Sequence, residues 1–157
     1  MHLEYITLYE LLQSNIYTID QIKKSYLLLL SMLTFTPDIE NIEFTSVILQ
    51  ISKIGDIVIA YYFDIEKQEL IIVGSGTIIY EPKIIHGGKS CGHIEDIVVH
   101  KNYRQHGIAK NIIEILVDNG KKHNCYKIIL DCNHELEEFY KKIGFDIKGL
   151  QMANYFT

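Results

Sequence analysis

The chain has 157 residues, 48% of them apolar and 22% charged, with a formal net charge of -5. That length gives one domain, expected over 1–157, with room for a real core, and the composition excludes a disordered chain. The negative balance lacks the basic footprint of a nucleic-acid or membrane binder, so neither partner is expected; Lys23-Lys24, Lys121-Lys122 and Lys141-Lys142 read as solvated helix faces.

Leu3–Thr7 is a candidate first strand. Thr18-Ile19-Asp20-Gln21 has the form of a capping box and opens a helix predicted to run to about Leu33. Pro37-Asp38 stops it and starts another, from about Ile39 to Lys53. Past Gly55-Asp56 the texture changes. Ile57–Phe63 and Leu70–Tyr80 are rich in β-branched and aromatic residues, and the polar turn Asp64–Gln68 joins them as a hairpin. Gly87-Gly88 turns the chain into a third strand, His93–His100.

After the loop Lys101–His106, Ile108, Ile112, Ile115 and Leu116 recur at helical spacing. Lys110, Asn111, Glu114 and Asp118 fall elsewhere, so the helix is amphipathic and lies on a sheet. Lys127–Leu130 is a short strand, and His134–Ile143 a short helix ended by Gly144. Phe145–Lys148 and Gln151–Phe156 read as closing strands. Strand, helix and strand across His93–Asp131 form a βαβ unit, whose strands are parallel with a right-handed crossover. The predicted fold is α/β: a mixed, mostly antiparallel sheet with a central parallel strand pair and flanking helices.

Cys91, Cys125 and Cys132 are odd in number and lack zinc-like spacing, and the seven histidines form no H-E-x-x-H. Reduced thiols, a cytoplasmic setting and no metal are the expectation. Met1–Glu10 lacks the pattern of a signal peptide, and Leu27–Leu33 is too short to span a bilayer.

Three places carry candidate chemistry. Arg104-Gln105-His106-Gly107-Ile108-Ala109 follows a strand and opens a helix. It is either an ordinary turn or a phosphate cradle, in which free N–H groups face the ligand and small residues let it approach. Glu95-Asp96 puts two acids on opposite sides of an otherwise apolar strand, unless a β-bulge re-aims both. They either cap and pair locally or bind a polar or cationic substrate. Asp131 ends the strand Ile128–Leu130, where ligands of open α/β sheets sit, or else serves as a helix N-cap. Tyr140 of Phe139-Tyr140 reads by itself as core.

Taken together, R-x-x-G-x-A at Arg104–Ala109 and F-Y-x-x-x-G-F at Phe139–Phe145 resemble the GNAT acetyltransferases. Glu81-x-Lys83-Ile84-Ile85-His86, Cys91–Asp96, Cys125–Cys132 and Gln151-Met152-Ala153 are similar to the glucosamine 6-phosphate N-acetyltransferase branch, and Leu33-Thr34 fits its acceptor loop. The resemblance covers nearly the whole chain. It implies a GNAT-like sheet, acetyl-CoA as co-substrate, an amino-sugar phosphate acceptor, and a homodimer joined through the C-terminal strand.

The resemblance also implies residue roles. The backbone of Ile97, Val98 and Val99 holds the pantetheine and polarises the thioester. Arg104 and Gln105, His106, Gly107, Ile108, Ala109 and Lys110 bind the pyrophosphate, with Cys132 and Asn133 also at the cofactor. Thr34, Lys83, His86, Glu95, Asp96, Tyr126, Lys127 and Asp131 surround the sugar phosphate. Asp131 and Glu95 orient the amine, and Tyr140 assists the departing thiol. The chain departs from the branch at Pro37, Pro82, Leu136 and Tyr155; the last stands where the family has a phosphate-binding Arg. Alternative acceptors within GNAT are a polyamine or a protein N-terminus, and the alternative class is a non-catalytic acyl-CoA-binding module.

Overall fold

The computed structural model describes residues 2–156; the predicted domain 1–157 includes Met1 and Thr157, which lie outside the described residues. Among the described residues the order is β1 (Glu4–Thr7), α1 (Leu8–Ser14), α2 (Ile19–Leu30), α3 (Asn41–Ser52), β2 (Gly55–Asp64), β3 (Glu69–Pro82), β4 (Ser90–Val99), α4 (Ile108–Lys122), β5 (Cys125–Leu130) and α5 (Glu137–Lys142). The sheet runs β1-β2-β3-β4-β5. Every neighbouring pair is antiparallel except β4–β5, which is parallel. The predicted mixed sheet and its βαβ unit are both present.

Both faces of the sheet are buried, which is why β2 and β3 read as nearly continuous apolar runs. Alternation divides β2. Ile57, Ile59 and Tyr61 join Leu8, Ile22, Leu29, Phe44 and Ile48 under α1–α3. Val58 and Ala60 join Ile78, Ile94, Ile112 and Leu116 under α4. β3 lets α4 come close by omitting side chains. A Cβ at Gly74 would stand 2.7 Å from Ile108 Cγ2 and 2.9 Å from Ile112 Cδ1, distances that no ordinary contact allows.

Helix α1 was not predicted. Its signal lay in Thr7-x-x-Glu10, a capping box in which the Glu10 N–H donates to the Thr7 hydroxyl at 3.1 Å. The box at Thr18 and Gln21 is present as read. The helix after Asn133 is split: a 3₁₀ turn over His134–Leu136 precedes α5.

The closing strands are a correction. Phe145–Lys148 and Gln151–Phe156 make no ladder, because a strand needs a partner and the tail finds none among the described residues. The parallel pair therefore stands at one edge of the sheet. Leu150, Met152, Tyr155 and Phe156 face solvent, each about nine-tenths exposed. Among the described residues, no helix is long and apolar enough to cross a membrane. No group of three or more His, Cys, Asp or Glu is placed there to hold a metal ion.

Ile112 is 0% exposed at the α4–sheet contact. Ile112→Ala should cost about 2–5 kcal/mol, the range for deleting a large buried side chain in a packed core. Urea unfolding of the two proteins measures this, and a loss below about 1 kcal/mol would contradict close packing of α4 on the sheet.

Candidate functional site

The site begins with a fault in β4. Ser75 pairs with Val98 and Thr77 with Glu95, so Gly76 alone faces both Asp96 and Ile97. That is a β-bulge, and Asp96 adopts φ 53° to make it. The bulge bends β4 away from its parallel neighbour. The β4–β5 ladder ends at Ile94 and Leu130, so residues 95–99 of β4 have no partner from β5. Between the parted ends lies a cleft of about 350 Å³, reached by Thr34 from the α2–α3 loop, Glu95 and Asp96 from β4, Asp131 after β5, and Tyr140 from α5.

Three carboxylates converge there. Burial first, then the charges of Asp131 and Asp96, push the Glu95 carboxyl above its usual range, and His93 partly offsets them. Such a cluster favours a cation at the cleft mouth. Tyr140 forms the opposite wall. It is 7% exposed, with Phe139 and Phe145 edge-on at 5.1 and 6.1 Å. Its hydroxyl has no hydrogen-bond partner among the described residues. Burial, then Cys132, raise its pKa, so it stays a neutral donor at pH 7.

The predicted phosphate loop follows β4. Arg104 Nε donates to the Val99 carbonyl at 3.2 Å, and His106 Nδ1 lies 2.8 Å from the Arg104 carbonyl. Gln105 and Gly107 take φ 65° and 76°. Gly107 is the N-cap of α4 and offers no side-chain cap. The first helical bond is Asn111 N–H to the Gly107 carbonyl, so the N–H groups of Ile108, Ala109 and Lys110 lack intrahelical acceptors. These free donors at a helix start suit an anion. A Cβ at Gly107 would meet no protein atom within 4 Å. The left-handed backbone, not crowding by the protein, is what requires glycine there.

The proposed acceptor set is divided. Thr34, Glu95, Asp96 and Asp131 gather at the cleft, whereas Lys83, His86, Tyr126 and Lys127 lie at the other end of β5. Lys127 and Asp131 fall on one side of that strand, their Cα atoms about 13 Å apart by the rise of a strand. The His86 ring stacks on Tyr126 at 4.0 Å, and Lys127 Nζ lies 5.5 Å from the same ring centroid. Lys83 pairs with Glu81 at 2.6 Å, and Glu81 also meets His93 Nε2 at 2.7 Å. His93, not singled out in the sequence, acts on Glu95 by its charge. Two-residue alternation puts it beside Glu95 on the same side of β4, between the acidic and basic groups.

The family model described as the Acetyltransferase (GNAT) family matches residues 33–145. A probable glucosamine 6-phosphate N-acetyltransferase 2 of Oryza sativa subsp. japonica is 38% identical over 135 residues, covering 85% of this chain and 81% of that protein. The glucosamine 6-phosphate N-acetyltransferase of Trypanosoma brucei brucei is 34% identical over 128 residues, covering 82% and 85%. Among solved structures, glucosamine-6-phosphate N-acetyltransferase from Arabidopsis thaliana superposes with a TM-score of 0.84 at 29% identity, over 100% of both chains.

The crowded carboxylates make a stability prediction. A carboxyl whose pKa is raised by folding binds its proton more tightly folded than unfolded. Its charge therefore subtracts stability above the usual carboxylate range, and that penalty disappears as pH falls below it. Glu95→Gln should melt higher than the wild type at pH 7, and the gain should vanish below about pH 4, near the unperturbed glutamate pKa. A variant that melts lower at pH 7 would mean the charge is stabilised rather than crowded.

Proposed function

Because the chain belongs to the GNAT acetyltransferases, and within them to the glucosamine 6-phosphate N-acetyltransferase family, we propose that it transfers the acetyl group of acetyl-CoA to the amine of glucosamine 6-phosphate. The products are N-acetylglucosamine 6-phosphate and CoA. The observation that carries this reading is the cleft itself, with three convergent carboxylates on one wall and an unpartnered tyrosine hydroxyl on the other.

The unpaired edge of β4 at Ile97–Val99 hydrogen-bonds the pantetheine arm as an added strand would, and its N–H groups polarise the thioester carbonyl. The loop Arg104–Ala109 and Lys110 take the pyrophosphate on the free N–H groups of α4, and Cys132 and Asn133 border the arm. Glu95, Asp96 and Asp131 attract the protonated amine and orient it, and a carboxylate takes one proton from it so that the free amine can attack the thioester carbon. The oxyanion forms against backbone N–H groups. Tyr140 gives its proton to the leaving sulfur. No residue carries the acetyl group, so amine and thioester react in one ternary complex.

Lys83, His86, Tyr126 and Lys127 supply the phosphate end. Within one chain they sit apart from the acids, which supports a homodimer. A second copy would cover the exposed tail at Leu150, Met152 and Phe156 and give its strand a partner. The free thiols of Cys91, Cys125 and Cys132 agree with a cytoplasmic enzyme.

Thiol release from acetyl-CoA tests the acceptor across glucosamine 6-phosphate, glucosamine, spermidine and an N-terminal peptide. Glucosamine 6-phosphate should give the highest kcat/KM, and Lys127→Ala should erode its lead over glucosamine, since a phosphate dianion needs cationic partners. Equal kcat/KM for the two sugars in the wild type would reject the phosphate reading, and a lead for the polyamine or peptide would replace the acceptor.

Tyr140→Phe keeps the ring packed against Phe139 and Phe145 and removes one hydroxyl. Its single-turnover rate should fall roughly 10²–10⁴-fold, the usual worth of a general acid, with little change in acetyl-CoA affinity. A rate within about threefold of wild type would leave Tyr140 a packing residue.

A further inference from the structure

Of the three cysteines, Cys91 is 1% exposed, Cys125 is half-buried and Cys132 is exposed. Cys132 lies two residues past the end of the β5 ladder and lines the cleft together with Tyr140. Tyr140 is more than nine-tenths buried, and its hydroxyl lacks a protein partner among the described residues. The hydroxyl is not sealed inside the protein but opens on the cleft, so it is free to donate to a ligand atom there that accepts a hydrogen bond. Cys132 lines the same cleft. On the acetyltransferase reading the ligand atom is the sulfur of CoA.

Building on that reading, we infer that Cys132 is a thiolation site addressed by the cofactor cleft, taking CoA from a CoA disulfide and holding it as a mixed disulfide. The Cys132 thiolate attacks one sulfur of the symmetric disulfide. An S–S bond forms between Sγ and that sulfur, the original S–S bond breaks, and the second CoA leaves as a thiolate that takes up the proton Cys132 gave off. The disulfide is itself the oxidant, so the step balances without another. Binding of the pyrophosphate at the N-terminus of α4 holds the disulfide over Cys132, which raises its local concentration there and not at Cys125. The product fills the cleft, so acetyl-CoA is excluded until a thiol reduces the bond.

The full-length protein is treated with CoA disulfide and, in parallel, with oxidised glutathione at the same concentration. Intact mass should show one added CoA, and peptide mapping should place it on Cys132. The reaction should run at least about tenfold faster than with glutathione, because only the former is directed by binding. Acetyl-CoA should slow it, dithiothreitol should reverse it together with the loss of activity, C125S should behave as wild type, and C132S should gain no adduct. An adduct on Cys125, equal rates with the two disulfides, or no protection by acetyl-CoA would each overturn the inference, and mapping of the wild type decides this even if a variant misfolds. Calorimetry of acetyl-CoA on the untreated protein separates the two readings. Absent binding defeats the acetyltransferase cleft, whereas binding without an adduct at Cys132 defeats the thiolation site alone.

Discussion

One backbone irregularity governs the rest. At Asp96, β4 carries one residue more than β3, and the left-handed φ that absorbs it bends the strand. A regular β4 would have continued its ladder with β5 past Ile94 and Leu130, leaving no cleft. The bulge does three things at once. It frees one edge of β4, it turns Glu95 and Asp96 toward the opening, and it delivers the chain to the loop at Arg104. A non-glycine residue in that region is strained by about 1–3 kcal/mol, a cost tolerated where the surrounding sheet fixes the geometry. Pairing of β3 with β4 on both sides of the fault supplies that constraint.

Electrostatics follows from the same bend. Carboxylates brought together repel, and the protein keeps Glu95, Asp96 and Asp131 near one another with only His93 partly offsetting their charge at Glu95. The basic groups nearest in sequence are otherwise engaged. Lys83 is held by Glu81, which also binds His93, and Lys127 lies over the Tyr126 ring. The molecule thus separates its charges along β5, acid at one end and base at the other.

Much of this was legible in the sequence, for definite reasons. Residues 93–131 announce a βαβ unit because Ile108, Ile112 and Leu116 keep a helical period between two apolar runs. The acid pair in an apolar strand suggested a bulge because regular pleating cannot bury one side and expose both acids. Gly107 was marked as special, although its reason is backbone hand rather than space. The division of the acceptor set was not seen, since motif resemblance collects residues without stating how far apart a strand holds them. The tail was read as strand for a related reason: a segment can suggest a strand by itself, but pairing is a property of two segments, and the described residues give the tail no partner. Helix α1 was hidden by its length of 7 residues, too few to show periodicity.

The strand order has a bearing on how the molecule assembles. β2, β3 and β4 form a meander joined by short turns, so their contacts close small loops and carry little entropic cost. β5 can join β4 only after α4 has crossed the sheet and docked on it, which makes this the pairing of greatest sequence separation on that side. The region that handles substrates is therefore the last part of this half of the sheet to be completed. It is also held by fewer ladder contacts than either pairing of the meander, since β4–β5 pairs over five positions and then stops. Local opening at that edge costs less than unfolding the meander, so the cleft can breathe while the core beneath it stays intact.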